Sequence, residues 1–254
     1  MLLHTRTWGE GDRVALLIHG IMADHRTWRR VGPALADRGY RVIAVDLRGH
    51  GLSGRGTYAP ADFADDLAET LPAGADLAIG HSLGGLALAL AAERLRPART
   101  VYADPSWRLF DGRRHDPVAL ITAGNATRAD IVAAHPRWSA VDVDTEVATR
   151  RLWDSRTAFG IKDLAHTDFT PDAPLAPTLV QLPGDGGLVT PAHAAALRGR
   201  GFATRTVPGT GHTMHRDDFG AFMACLDDWL GGQEAVEDTE DTEDTEARAG
   251  ELTG

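Results

Sequence analysis

The chain of 254 residues is long enough for one α/β domain with a large core, and its 43% of apolar residues fit a globular protein. Residues 232–254 contain nine acidic residues and one arginine, so they carry −8 of the formal charge of −10 and leave the rest nearly neutral. Because no basic patch is present, we expect neither nucleic acid nor a membrane surface as a partner. The single cysteine, Cys225, rules out an intrachain disulfide. Since the first residues show no basic segment followed by an apolar run, and no apolar run approaches membrane-spanning length, we expect no secretion leader, no membrane span and a cytoplasmic protein.

Strands alternate with helices along the chain, which is typical of a mostly parallel sheet covered on both faces. Apolar runs predict strands at 14–18, 41–45, 76–79, 100–103, 178–182 and 202–207. Helical spacing of apolar residues predicts helices at 28–38, 61–71, 83–95, 191–197 and 217–230. The sequence therefore predicts one α/β domain over residues 1–231.

The stretch from about 106 to 172 differs, because strand-like runs thin out and helical segments are expected at 117–122, 128–135 and 141–154. We interpret it as a helical cap between core segments 1–105 and 173–231. Trp107, Trp138 and Trp153 fall within it, and together with Met22 they are candidates to line an apolar pocket. A purely packing role for each tryptophan is an equal alternative.

The acidic segment 232–254 repeats Glu-Asp-Thr and has almost no apolar content, so we expect a disordered tail. A solubilising role is favoured, and a docking peptide is the alternative.

Residues 80–85 read Gly-His-Ser-Leu-Gly-Gly between a predicted strand and a predicted helix. The spacing G-x-S-x-G in this context indicates a nucleophile elbow, where a strand reverses into a helix and exposes a serine hydroxyl. Glycines leave room for that reversal. Ser82 is therefore the candidate nucleophile.

A serine needs a base, usually a histidine that a carboxylate orients. His212 follows a predicted strand within a glycine-rich loop, and among the eleven histidines this combination is unique to it. Asp185 also follows a strand and completes the chain order Ser, Asp, His. Asp104 follows the neighbouring strand and stays open as the alternative acid.

Two backbone N–H groups aimed at one point would stabilise an oxyanion. Leu83 follows the nucleophile directly, and Ile21 lies in the loop His19-Gly20-Ile21-Met22 after the first predicted strand. We expect the N–H groups of these two residues to form the oxyanion hole.

Four motifs together resemble the α/β-hydrolase superfamily: His19-Gly20, the segment 46–53 (Asp-Leu-Arg-Gly-His-Gly-Leu-Ser), the elbow and Gly211-His212. The resemblance covers residues 14–230 apart from the cap. It implies an eight-stranded, mostly parallel sheet with a cap after the sixth strand, no cofactor and no metal. It also implies the roles given above to Ser82, His212, Ile21 and Leu83. The loop at Asp185 is shifted relative to the usual G-x-x-D pattern, and a serine at the elbow argues against haloalkane dehalogenases and epoxide hydrolases.

These features predict a serine hydrolase that acts on an ester, lactone or related carbonyl compound of a small hydrophobic substrate. Carbon–carbon bond hydrolysis and perhydrolysis on the same triad are alternatives, because cap and pocket decide between them. A ligand-binding protein of the same fold without turnover is the alternative from another class.

Overall fold

The computed structural model describes residues 1–108, 116–161 and 166–232. The expected disordered tail therefore lies, from residue 233 onward, outside the described residues. No helix within the described residues is both long enough and apolar enough to cross a membrane.

Seven strands form one sheet in the described chain. Their bounds are β1 (Thr5–Trp8), β2 (Arg13–Ile18), β3 (Tyr40–Val45), β4 (Leu77–His81), β5 (Thr100–Ala103), β6 (Thr178–Pro183) and β7 (Ala203–Val207). The sheet order is β1-β3-β2-β4-β5-β6-β7, in which β1 pairs antiparallel with β3 and every other pair is parallel. This is the α/β-hydrolase fold, with seven described strands where the resemblance implies eight.

Helices cover both faces of this sheet. They are α1 (Val31–Ala36), α2 (Pro60–Thr70), α3 (Leu83–Leu95), α4 (Pro117–Gly124), α5 (Arg128–Ala134), α6 (Ala140–Arg151), α7 (Thr157–Gly160), α8 (Pro191–Gly199), α9 (Met214–Asp217) and α10 (219–232). The 3-10 helix His25–Trp28 precedes α1.

The central strands are buried on both faces, as their continuous apolar runs predict. Along β2, Leu16 and Ile18 belong to one apolar cluster, whereas Ala15 and Leu17 belong to another on the opposite face. This alternation follows from the two-residue period of a strand. The sheet is thus the rigid middle layer, and its carboxyl edge carries the loops after β2, β4, β5 and β7.

Helices α4, α5 and α6 lie between β5 and β6, at the places where the sequence predicted helical segments, and the role of this segment as a cap stays a prediction. It follows the fifth described strand because the sheet has one strand fewer than implied. The prediction missed β1, whose four residues are too few for a clear pattern. The predicted last helix, 217–230, corresponds to α10, and the prediction missed the short α9, which ends at Asp217 because Asp218 is extended.

Candidate active site

Ser82 lies on a tight reversal between β4 and α3, at the carboxyl edge of the sheet. Its backbone φ is 53° and ψ is −117°, a strained conformation for a residue with a side chain. A Cβ on Gly84 would lie 2.3 Å from the carbonyl oxygen of Ile18, so only glycine allows helix α3 to approach β2 this closely. The reversal leaves Ser82 facing a cavity, although the residue is largely buried.

Positive φ angles concentrate around this point. Four non-glycine residues of the described chain have them, and three of these are Met22, Ser82 and Asp104. Each follows a sheet strand at the same edge. Strained backbone of this kind persists only where surrounding structure enforces it, and it clusters at functional sites.

Asp104 is fully buried directly after β5, beside the strand that carries Ser82. Its Oδ2 accepts a hydrogen bond of 2.6 Å from Nδ1 of His212, which lies in the loop after β7. Since an ionised carboxylate can only accept, Nδ1 carries the proton and Nε2 of the neutral ring is left as the acceptor.

The carboxylate that is hydrogen-bonded to His212 is Asp104 and not Asp185, which the sequence favoured as the acid. Asp185 is exposed in the loop after β6, and its N–H donates to the carbonyl oxygen of Thr210. The same loop instead sends the N–H groups of Leu188 and Val189 to the Asp104 carboxylate, at 2.8 and 3.1 Å to Oδ1. The loop supplies donors where a carboxylate was expected.

His81 contacts the backbone of His212, the candidate base. Its Nε2 lies 2.9 Å from the carbonyl oxygen of His212 and must donate to it, and the two rings are 4.6 Å apart. Burial, followed by the neighbouring His212 and His215, holds the pKa of His81 well below its usual value. His81 is therefore a neutral donor that positions His212.

The loop after β2 is held by His19, whose ring contacts the carbonyl oxygen of Gly20 and accepts from the N–H of Leu47. Within the described chain no backbone hydrogen bond engages the N–H of Ile21 or of Leu83. Leu83 begins α3, and Ile21 lines the cavity at Ser82. Both N–H groups are free to bind a ligand oxygen.

The cavity has a volume of about 380 Å³, and both Ser82 and His212 line it without a direct hydrogen bond between them. Met22 and Trp138 are in its wall, as expected. Trp107 and Trp153 are not. Trp107 lies behind α3, where its Nε1–H donates to the carbonyl oxygen of Gly85, and Trp153 packs in a small cluster with Met22.

Part of the cavity wall is charged, which sequence reasoning missed. Glu146 of α6 pairs with Arg150 at 2.7 Å and with Arg216 of α9 at 2.5 Å. Although burial opposes it, the two guanidinium groups hold the pKa of Glu146 below its usual value. Arg216 stacks over the ring of Trp138 at 3.6 Å. The available signal was the Glu146–Arg150 spacing of four residues on a cap helix.

One group of side chains outside the cavity has the spacing of metal ligands. One atom from each of His4, His25 and Asp46 lies within 4.8 Å of the others. Asp46 is buried, and its two oxygens already accept hydrogen bonds from the N–H groups of His25 and Leu52. The group therefore stabilises the loop after β3. Among the described residues it is also the group most able to ligate a metal.

A sequence model of the Alpha/beta hydrolase family matches residues 15–224. The chain is 39% identical over 93 residues to pimeloyl-(acyl-carrier protein) methyl ester esterase of Sodalis glossinidius, which covers 36% of this chain and 35% of that protein. It is 40% identical over 87 residues to 2-(acetamidomethylene)succinate hydrolase of Mesorhizobium japonicum, and the match covers 32% of this chain and 31% of that protein. The matched stretches thus span about a third of these curated relatives.

The similarity of fold extends over nearly the whole chain. The solved structure of an E-2-(acetamidomethylene)succinate hydrolase superposes with a TM-score of 0.78 at 24% identity, over 90% of this chain and 95% of that one.

Proposed function

The chain belongs to the alpha/beta hydrolase family, and on that premise we propose that it is a serine hydrolase that cleaves an ester, lactone or related carbonyl compound through an acyl-enzyme. The observation that carries the proposal is the convergence of a strained, cavity-facing Ser82 with a His212–Asp104 pair at one sheet edge. The names of the two curated relatives, an esterase and a hydrolase, support this class.

In the proposed mechanism, Nε2 of His212 takes the hydroxyl proton of Ser82 while Oγ attacks the substrate carbonyl carbon. The former carbonyl oxygen gains the negative charge, and the free N–H groups of Ile21 and Leu83 stabilise it. The tetrahedral intermediate collapses, the bond to the leaving group breaks, and His212 returns its proton to that group. Water then attacks the acyl-enzyme by the same sequence and releases the acid.

Asp104 takes the role of the third triad member in this proposal. It holds the Nδ1–H tautomer of His212 and stabilises the imidazolium that forms after proton transfer. The N–H groups of Leu188 and Val189 keep its carboxylate oriented. His81 positions His212 through the hydrogen bond to its backbone carbonyl oxygen.

The small-molecule partner, the absence of a cofactor requirement and the cytoplasmic location remain parts of this proposal. Its direct test is turnover of p-nitrophenyl esters of graded chain length. We expect a serine-dependent burst of p-nitrophenol that disappears in Ser82→Ala and persists in Ser155→Ala, at a serine outside the cavity. A burst unchanged in Ser82→Ala would refute the nucleophile, and no burst with any ester would favour a binding protein.

A further inference from the structure

The cavity at Ser82 carries more positive than negative charge in its wall. Arg137, Arg150 and Arg216 line it, against Glu146 and Asp217. Both acids are already engaged. Glu146 is shared by Arg150 and Arg216, and Asp217 accepts from neutral donors, the indole of Trp138 and the N–H of Gly211.

Two guanidinium groups that share one carboxylate retain a positive charge in a region where water is partly excluded. Arg216 is largely buried, and its Nε is buried without a hydrogen-bond partner among the described residues. An unpaired buried donor is costly, and a charged one more so. The Nε is too buried for a ligand to reach, but a negatively charged ligand group in the cavity would offset part of the positive charge.

Arg137 adds a cation that forms no ion pair with any described carboxylate. Its side chain is exposed beside Gly209, in the loop that leads to His212, and it makes no ion pair or hydrogen bond with any residue the structure describes. Its guanidinium can therefore turn to a ligand in the cavity without breaking an existing contact. A planar guanidinium matches a carboxylate in two-point geometry.

Resting on the proposed function, we propose that this hydrolase acts on carbonyl compounds that carry a second, carboxylate group, and that Arg137, with the Arg150–Glu146–Arg216 cluster behind it, binds that carboxylate. The reacting carbonyl lies at Ser82 and the acid at the charged wall. This departs from the hydrophobic substrate expected of an apolar cap, because α6 and α9 place charged side chains in the cavity wall beside Trp138.

The test compares matched methyl esters that differ only in an end carboxylate: monomethyl succinate against methyl butyrate, and monomethyl glutarate against methyl pentanoate. We expect the acidic ester of at least one pair to have the higher kcat/KM. Arg137→Gln should lower kcat/KM for that ester about tenfold, the effect of one charged hydrogen bond, and leave the neutral ester within about twofold. Arg151→Gln, next to Arg150 on α6 but outside the cavity, is the matched control and should change neither.

Preference for the neutral ester in both pairs would overturn the proposal and restore a hydrophobic substrate. An equal loss for both esters in Arg137→Gln would also overturn it, because the residue would then be structural. If neither ester is turned over, the proposed function fails, and calorimetric titration of the intact protein with succinate and glutarate decides the carboxylate site separately. Binding weakened about tenfold by Arg137→Gln would support the site, and no binding would contradict it.

Discussion

The carboxyl edge of the sheet and the helical insertion above it are built in opposite ways. At the sheet edge, Asp104 and Ser82 lie on strands whose side chains join two large apolar clusters. Most of the described insertion packs in small apolar clusters, such as that of Ile131, Trp138 and Val143, and its two ends, at Trp107 and Ile161, join a large one. Ion pairs also join it to the residues around the cavity, among them Arg29 with Asp142 and Arg216 with Glu146.

This difference teaches that reactivity and selectivity are separable in this molecule. A strained backbone and close packing hold the side chains at the sheet edge in a single geometry. A reaction that depends on the orientation of its groups requires this. The insertion contributes charged side chains to the cavity wall, and these can be substituted without altering the sheet edge. We therefore expect sheet-edge substitutions to change the rate for every substrate, and insertion substitutions to change stability or the choice of substrate.

The largest effect is expected at the buried acid. Asp104→Asn keeps the shape of the side chain but loses the charge that selects the tautomer of His212, so kcat should fall by about 10³–10⁴. Asp185→Asn, in the exposed loop first expected to supply the acid, should stay within about twofold of the parent protein, since surface substitutions are usually mild. Steady-state kinetics of the two variants on one ester decide between them, and similar losses in both would mean that neither carboxylate alone orients His212.

The next effect concerns the ion pairs of the insertion. Glu146→Gln leaves Arg150 and Arg216 without a counter-charge in a buried place, and we expect the free energy of unfolding to fall by about 3 kcal/mol. Asp144→Asn is the matched control on the same helix, because the exposed pair of Asp144 with Arg128 should contribute less than about 1 kcal/mol. Urea denaturation measures both. Equal small losses would mean that the insertion is held by apolar packing after all.

The smallest effect is expected in the pH dependence of stability, and it concerns the buried His215. Burial, then Arg216 and His212, lower the pKa of His215 to about 3, and both of its ring nitrogens are buried without a hydrogen-bond partner among the residues that the structure describes. The unfolded chain binds a proton there below about pH 6.5 and the folded chain does not, so stability falls as the pH drops from 6.5 toward 3. His215→Phe should reduce the loss between pH 7 and pH 5 by about 1–2 kcal/mol.

The control for this prediction is His166→Gln at an exposed histidine, which should leave the pH dependence as it is. Urea denaturation at the two pH values is the measurement. If His215→Phe loses as much stability as the parent protein, the histidine is already charged in the folded state or reached by water.

Much of this could be predicted from the sequence, for physical reasons. Buried parallel strands need continuous apolar runs, and the elbow needs glycines on both sides of Ser82, so both leave local signals. The partner of His212 leaves none, because Asp104 and Asp185 each follow a strand, and only the path of the loop after β6 decides between them. The charged wall was also beyond local reasoning, since Glu146 and Arg216 are 70 residues apart and meet only when the insertion folds over the sheet.

The most direct test of the central claim is labelling with a fluorophosphonate followed by peptide mass spectrometry. We expect one adduct per chain, on Ser82, and much slower labelling of Asp104→Asn than of Asp185→Asn. An adduct on another serine, or unchanged labelling of Ser82→Ala, would contradict the claim that the sheet edge holds the nucleophile.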